Sequence, residues 1–156
     1  MSNPNILPSN RAVLAAVIDP DQTSPGTATT GWVSMATYES LQAIVGVGDM
    51  ETGGTVDAVL QQATDASGTG AKDISGKAIT QLTKAGSKND HQAIINLRSE
   101  ELDVANAFTH VRLSVTVGDA VNSPASAKSD IFAVILGHNA RYAPASDATT
   151  VSEVVS

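Results

Sequence analysis

The chain is patterned mainly by alternation of period two. Val111, Leu113, Val115 and Val117 interleave with His110, Arg112, Ser114 and Thr116, which puts the apolar set on one face of a strand and the polar set on the other. Leu41, Ala43, Val45 and Val47 alternate with Gln42, Ile44, Gly46 and Gly48 before Asp49, predicting a mostly buried strand. After the turn signal Gly53-Gly54, Val56, Ala58 and Leu60 fall opposite Asp57, Val59 and Gln61. The neighbouring Gln61, Gln62 and Thr64 suggest a sheet edge or a solvated face. A further strand places Ala93, Ile95 and Leu97 against Ile94, Asn96 and Arg98. The unbroken apolar run over residues 131–136 predicts a central strand buried on both faces.

Punctuation between these runs is rich in Gly, Ser, Asp and Pro. Residues 12–18 fit either a short helix capped by Ser9 or Asn10 or a buried strand ending at Asp19-Pro20. Residues 21–30 read as a loop, so that Trp32, Val33 and Met35 open the first secure strand. Residues 65–70 form a Gly-rich loop, and residues 74–83 contain another short segment around Ile79 and Leu82. Residues 86–90 read as a turn, 99–103 as a turn or single helical turn, and 118–130 as a polar loop. Pro4 and Pro8 predict an extended N-terminal arm. Roughly six to eight strands, with turn signals about every ten residues, indicate an all-β fold. The expected architecture is an antiparallel two-layer β-sandwich with extended N- and C-terminal arms. Its parts are an arm over 1–11, a sandwich domain over 12–142 and a small, polar, acidic tail over 143–156.

At 156 residues and 42% hydrophobic content, the chain has enough material for one well-packed core. With two Phe, two Tyr and one Trp, that core must be aliphatic. A formal charge of −7 repels phosphate backbones, so nucleic acid is disfavoured as a partner. The absence of cysteine removes disulfides, thiolate metal sites and cysteine nucleophiles, and suits synthesis in a reducing cytoplasm. No apolar run reaches the roughly 18 residues of a membrane helix. Residues 1–11 lack the basic start and apolar core of a signal peptide, so a soluble product with no membrane partner is expected.

The candidate chemistry is thin. The glycines around 46–54 lack the spacing and the Lys-Ser/Thr of a phosphate loop. Asp65-Ala66-Ser67-Gly68 resembles half of a calcium loop without its remaining ligands, and reads better as a turn. His91, His110 and His138 are far apart in sequence. No nucleophile motif surrounds any Ser. The acid pairs Glu100-Glu101 and Asp19 with Asp21 have no aromatic platform beside them, because Trp32, Tyr38 and Tyr142 are dispersed. Arg98 and Arg112 would pair with Glu101 or Asp103 across a sheet. No catalytic residue, cofactor or metal is expected, and an enzyme is disfavoured.

Several segments, taken in order, carry a resemblance. They are Gln61-Gln62-Ala63-Thr64-Asp65, Gly76-Lys77-Ala78-Ile79-Thr80-Gln81-Leu82, Gln92-Ala93-Ile94-Ile95-Asn96-Leu97-Arg98, Glu101-Leu102-Asp103 and Phe108-Thr109-His110-Val111-Arg112-Leu113. The chain resembles, over most of residues 7–145, a family of small virion proteins of tailed bacteriophages encoded in the head-morphogenesis region. Residues 137–145, Gly-His-Asn-Ala-Arg-Tyr-Ala-Pro-Ala, are similar to that family's terminal segment. The loop over 122–129 and the tail are longer than the family pattern.

The resemblance implies a capsid decoration or cement protein. Such a protein binds the major capsid protein on the outside of the head, stabilises it, and is made in the host bacterial cytoplasm. Self-association is also expected, with a trimer favoured. The candidate contact residues are Pro4, Leu7 and Arg11 on the arm, Arg112 on its strand, and Arg141 and Tyr142 in the terminal segment. Two alternatives stand beside this reading. One is a head-to-tail connector or tail component. The other is a carbohydrate-binding sandwich displayed on the virion, using Trp32 or Tyr142 with acidic side chains.

Overall fold

The computed structural model describes residues 6–142 and 145–156. One α-helical turn, α1 (Pro8–Arg11), precedes ten strands. These are β1 (Ala12–Thr23), β2 (Gly26–Thr29), β3 (Val33–Ser34), β4 (Tyr38–Met50), β5 (Gly54–Ala63), β6 (Lys72–Ala78), β7 (Leu82–Thr83), β8 (His91–Arg98), β9 (His110–Asp119) and β10 (Ser129–Ala140). Two short 3-10 turns, Ser99–Glu101 and Val104–Asn106, lie between β8 and β9. The strands form one sheet ordered β1-β10-β4-β8 and a second ordered β2-β9-β5-β6, with β3 beside β9 and β7 beside β5. Every pairing is antiparallel. The chain is an all-β, two-layer sandwich.

The core lies where the predicted inward sets meet. Leu41, Ala43, Val45 and Val47 of β4, with Ile131, Ala133 and Ile135 of β10, face Val56, Ala58 and Leu60 of β5 and Val111, Leu113, Val115 and Val117 of β9, all buried. Because the side chains are aliphatic and mostly small, the two sheets fit together through many modest contacts with few large anchors. Burial of a Leu or Val side chain contributes about 1.5–3 kcal/mol.

The structure departs from the sequence reading at several places. Residues 12–18 are strand, and β1 does not stop at Asp19-Pro20. It continues to Thr23, with its register against β10 shifting between Ile18 and Asp21. Pro20 is tolerated because β1 is an edge strand and the irregularity needs no ladder N–H there. Residues 21–30 are therefore not a loop. They hold the end of β1 and all of β2, which crosses to the other sheet and pairs with β9. Trp32 and Met35 fall outside strands, and the segment there is the two-residue β3. The segment expected within residues 74–83 is two strands, β6, which begins at Lys72 and ends at Ala78 before Ile79, and the two-residue β7 at Leu82.

The edge reading of Gln61, Gln62 and Thr64 is corrected as well. β5 lies inside its sheet between β9 and β6, and Gln62 is buried because its side-chain oxygen accepts the backbone N–H of Asp103 at 2.8 Å. β10 is central, as expected, but only one of its faces is buried. Phe132 remains 38% exposed, with Val134 and Leu136 half-buried beside it. A sandwich has two layers, and among the described residues no further helix or sheet covers the outer surface of the first sheet.

Described residues of both arms are held against the sandwich. Within the first eleven residues, Pro8–Arg11 is a helical turn and not extended chain, with Pro8 pre-setting φ at its first position. Residues 145–156 carry no helix or strand, yet they are tied down at one point. The backbone N–H of Leu14 donates to Asp147 Oδ1 at 3.0 Å, and Ala148 N–H donates to the Leu14 carbonyl at 2.6 Å. Leu14 adjoins the other register shift of β1, so the tail satisfies backbone groups that the ladder leaves open there.

Candidate attachment surface

Four of the six sequence-predicted contact residues gather at one end of the sandwich. Leu7 precedes α1 and Arg11 ends it, and this turn packs on the start of β1 and the last part of β10. Leu7 is 44% exposed, and Arg11 is exposed. Arg141 and Tyr142 follow β10 at the same end, where Arg141 N–H donates to the Thr37 carbonyl at 2.9 Å. That bond anchors the backbone while leaving Tyr142 84% exposed. Pro4 lies outside the described residues.

Arg141 and Tyr142 border a shallow groove of about 510 Å³ whose apolar wall is Met35, Leu102, Val104 and Phe108. The wall is built by the two 3-10 turns. Asp103 organises them: its carboxylate accepts both from Lys72 and from the Asn106 side chain. Those bonds, Lys72 first, hold its carboxyl below the usual carboxylate range. Ala107 takes a left-handed conformation (φ 60°) that ends the second turn and turns the chain toward Phe108. The Lys72 ammonium lies 4.2 Å from the centroid of the Phe108 ring. Val104, 65% exposed, sits at the rim.

Arg112 is not part of this end. It lies on the outer face of the second sheet, donates from Nε to Gln61 Oε1 at 2.9 Å, and holds its guanidinium 4.6 Å from the Trp32 ring centroid. The expected cross-sheet ion pairs are reassigned accordingly. Glu101 pairs with Lys77 at 2.8 Å, Asp103 pairs with Lys72, and Arg98 meets Glu100 at 3.3 Å. Glu101 does accept the backbone N–H of Arg98 at 2.8 Å, which closes the 3-10 turn after β8. Lys77 and that bond together lower the Glu101 carboxyl from its ordinary range.

The aromatic residues are also divided. Trp32 has Arg112 over its ring, and an added Cβ at Gly68 would meet its Nε1 at 2.8 Å, so this ring is engaged within the chain. Tyr38 is buried, and its hydroxyl is pushed up by that burial and by the charge of Asp147. Tyr142 is thus the exposed member of the three. Asp65 accepts backbone N–H bonds from Ser67 and Thr69, an Asx-type turn in place of a half calcium loop. Among the described residues, no group of three or more His, Asp or Glu side chains is placed to hold a metal ion. No described helix is long and apolar enough to cross a membrane.

Sequence reasoning missed the groove wall. Leu102, Val104 and Phe108 occur in irregular chain, where no periodicity marks which side chain faces outward. Met35 likewise lies outside any strand. Their only signal was large apolar residues within an otherwise polar turn region.

No protein-family model matches the sequence, and no curated protein matches it. Two solved structures show distant likeness. A chain in the structure of infectious bursal disease virus Gt strain superposes with a TM-score of 0.47 at 14% identity, over 92% of this chain and 38% of that one. A chain in the structure of infectious bursal disease virus Gx strain gives 0.45 at 14% identity, over 84% and 33%. The present chain thus spans about a third of each, and similarity at this level assigns it no role.

Proposed function

We propose that this chain is a virion structural protein of the decoration or cement class, which binds the outside of a major capsid lattice and stabilises the head. The observation that carries the reading is the clustering of Leu7, Arg11, Arg141 and Tyr142 at one end of the sandwich, where Arg141 and Tyr142 border an apolar groove. These residues come from opposite ends of the sequence, and folding brings them to one surface. The resemblance to tailed-phage head proteins over residues 7–145 supports the same class.

The mechanism is mechanical. Each copy seats this end on the shell, with Tyr142 and the Val104–Phe108 wall desolvated against it and the two arginines bonding to carboxylates or carbonyls of capsid subunits. A single such contact is weak. Copies repeated over a lattice and spanning subunit boundaries add their contacts, so the shell resists expansion more than one contact would allow.

Cryo-electron microscopy of particles assembled with and without this chain tests the proposal. Density spread over the shell, together with heads that release genome at lower temperature when the chain is absent, is the expected result. The double variant Arg141→Ala, Tyr142→Ala should be lost from particles while remaining folded. Density confined to the neck or tail would replace the reading with a connector. Intact heads that fail to adsorb to host cells would replace it with glycan binding.

A further inference from the structure

The outer faces of the two sheets differ in kind. On the second sheet, outward side chains bond to one another: Thr27 with Thr116, Gln81 with Asp57, and Gln61 with both Asp73 and Arg112. On the first sheet, an apolar row crosses all four strands, because Val17 pairs with Val134, Val134 with Ile44, and Ile44 with Ile94. Ile94 is 57% exposed at the end of this row. Phe132 flanks the row on one side, and the cross-strand pair Leu14 and Leu136 flanks it on the other. An apolar band of this kind, rimmed by polar groups, marks an interaction surface.

The order of side chains along the strands identifies the partner. Outward positions of β10 read Asp130, Phe132, Val134, Leu136, His138, and those of β8 read Gln92, Ile94, Asn96, Arg98, preceded by Asp90, which lines one groove with Gln92, Asp130 and Phe132. Each series has an acid at one end, an apolar residue at its centre and a basic residue at the other end, spaced evenly about the apolar row. Asp90 and Asp130, with Asp21, line one groove beside Phe132 that no Lys or Arg lines. At the opposite end Arg98, His138 and Ser40 are cross-strand neighbours. Glu100 already meets Arg98 at 3.3 Å, but that pair is highly exposed and exchanges partners at little cost.

We propose that two copies of this chain pack face to face through the first sheet, about a two-fold axis running along the row Val17–Val134–Ile44–Ile94. An axis in that direction sends each position along a strand to the position equally far on the other side of the row. Asp130 then faces His138 of the second copy, Asp90 faces Arg98, Gln92 faces Asn96, and Phe132 faces Leu136. A two-fold axis parallel to the strands would set the acidic groove against itself, which like-charge repulsion disfavours. The interface is isologous, and the sheets stack about 10 Å apart like the two layers of a sandwich. This surface adjoins the end bearing Arg141, because Arg98 and Arg141 line one groove, but it does not include Tyr142 or the Val104–Phe108 wall, so the dimer leaves that part of the proposed shell contact open.

Sedimentation velocity of the full chain at tens of micromolar tests the arrangement, with circular dichroism confirming that each variant is folded. The wild type should sediment as a dimer, and Ile94→Lys, an exposed change, should yield a folded monomer. His138→Asp, which places two acids face to face, should weaken dimerisation by about tenfold or more. Combining it with Asp130→Lys should recover the dimer. A wild-type monomer, a trimer, or a dimer indifferent to Ile94→Lys would each overturn the proposal. So would failure of the reciprocal swap to recover association while both variants remain folded.

Discussion

The ring of Phe132 occupies the space that a side chain at Gly46 would need. The two are cross-strand partners on the outer face of the first sheet, and a Cβ added at Gly46 would sit 1.9 Å from Phe132 Cε1. The Tyr38 ring lies over Gly137 at a buried position in the same way, although the two are diagonal and not paired across the strands, and an added Cβ would sit 2.4 Å from Tyr38 Cε1. An aromatic ring laid over a strand glycine restores packing that the missing side chain forgoes.

The two glycines should therefore differ in their response to alanine. Phe132 is partly exposed and its ring can swing outward, so Gly46→Ala should cost about 1 kcal/mol, whereas the enclosed Tyr38 leaves Gly137→Ala nearer 3 kcal/mol. Urea unfolding of both variants reads the difference directly. Equal costs would show that the Phe132 ring is as constrained as Tyr38.

Thr30 is buried, and its hydroxyl oxygen accepts the backbone N–H of Leu113 at 3.0 Å while the hydroxyl donates to the Gly31 carbonyl. Thr30→Val keeps the shape and leaves that N–H without its hydroxyl partner. The expected loss is about 1–3 kcal/mol in chemical denaturation. Thr30→Ser should retain most of the stability, because it keeps the acceptor.

Trp32 is the single tryptophan in the chain, so its fluorescence reports on one contact. Arg112→Ala should remove the guanidinium from the ring, shift the emission maximum to the red and destabilise by about 0.5–1 kcal/mol. Arg112→Lys should retain only part of the effect, because an ammonium neither stacks nor presents the planar fork that reaches Gln61. An unchanged spectrum in Arg112→Ala would show that the pair does not persist in solution.

Asp119 accepts from the backbone N–H groups of Val121, Asn122, Ser126 and Ala127 and from the Asn122 side chain, at 2.8–2.9 Å. These bonds, those from Asn122 and Ser126 foremost, hold its carboxyl far below the usual carboxylate range. The folded-state value lies below the unfolded one, so the stabilisation is fully present above the unfolded pKa of about 4 and is lost as pH falls toward the folded value. Asp119→Asn should lower the urea midpoint at neutral pH, and its difference from wild type should shrink in acid. Hydrogen exchange of Val121, Asn122, Ser126 and Ala127 should quicken in the variant at neutral pH, because that one carboxylate holds all four amides.

Strand identity and facing were legible wherever a run kept period two over six or more residues. The inward sets of β4, β5, β8 and β9 follow from alternation, since a strand offers only two faces and an aliphatic set must take the inner one. The rest depended on position in the sheet, which local pattern does not contain. Asp19-Pro20 looked like a strand end and proved to be an irregularity, because an edge strand can lose a donor without breaking its ladder. Gln62 looked solvated and proved buried, because the backbone N–H that its side-chain oxygen accepts lies 41 residues away at Asp103.

The candidate surfaces divide in the same way. Arg141 and Tyr142 could be singled out from the sequence, but their union with Leu7 and Arg11 required the pairing of β1 with β10, which brings residues 12 and 138 together. Residues 131–136 announced a buried strand, and hydrophobicity alone cannot say whether both of its faces meet the same molecule. Alternation along the chain determined which side chains share a face. The register between strands, set by long-range hydrogen bonding, decided which faces meet inside the sandwich and which apolar row is left for a partner.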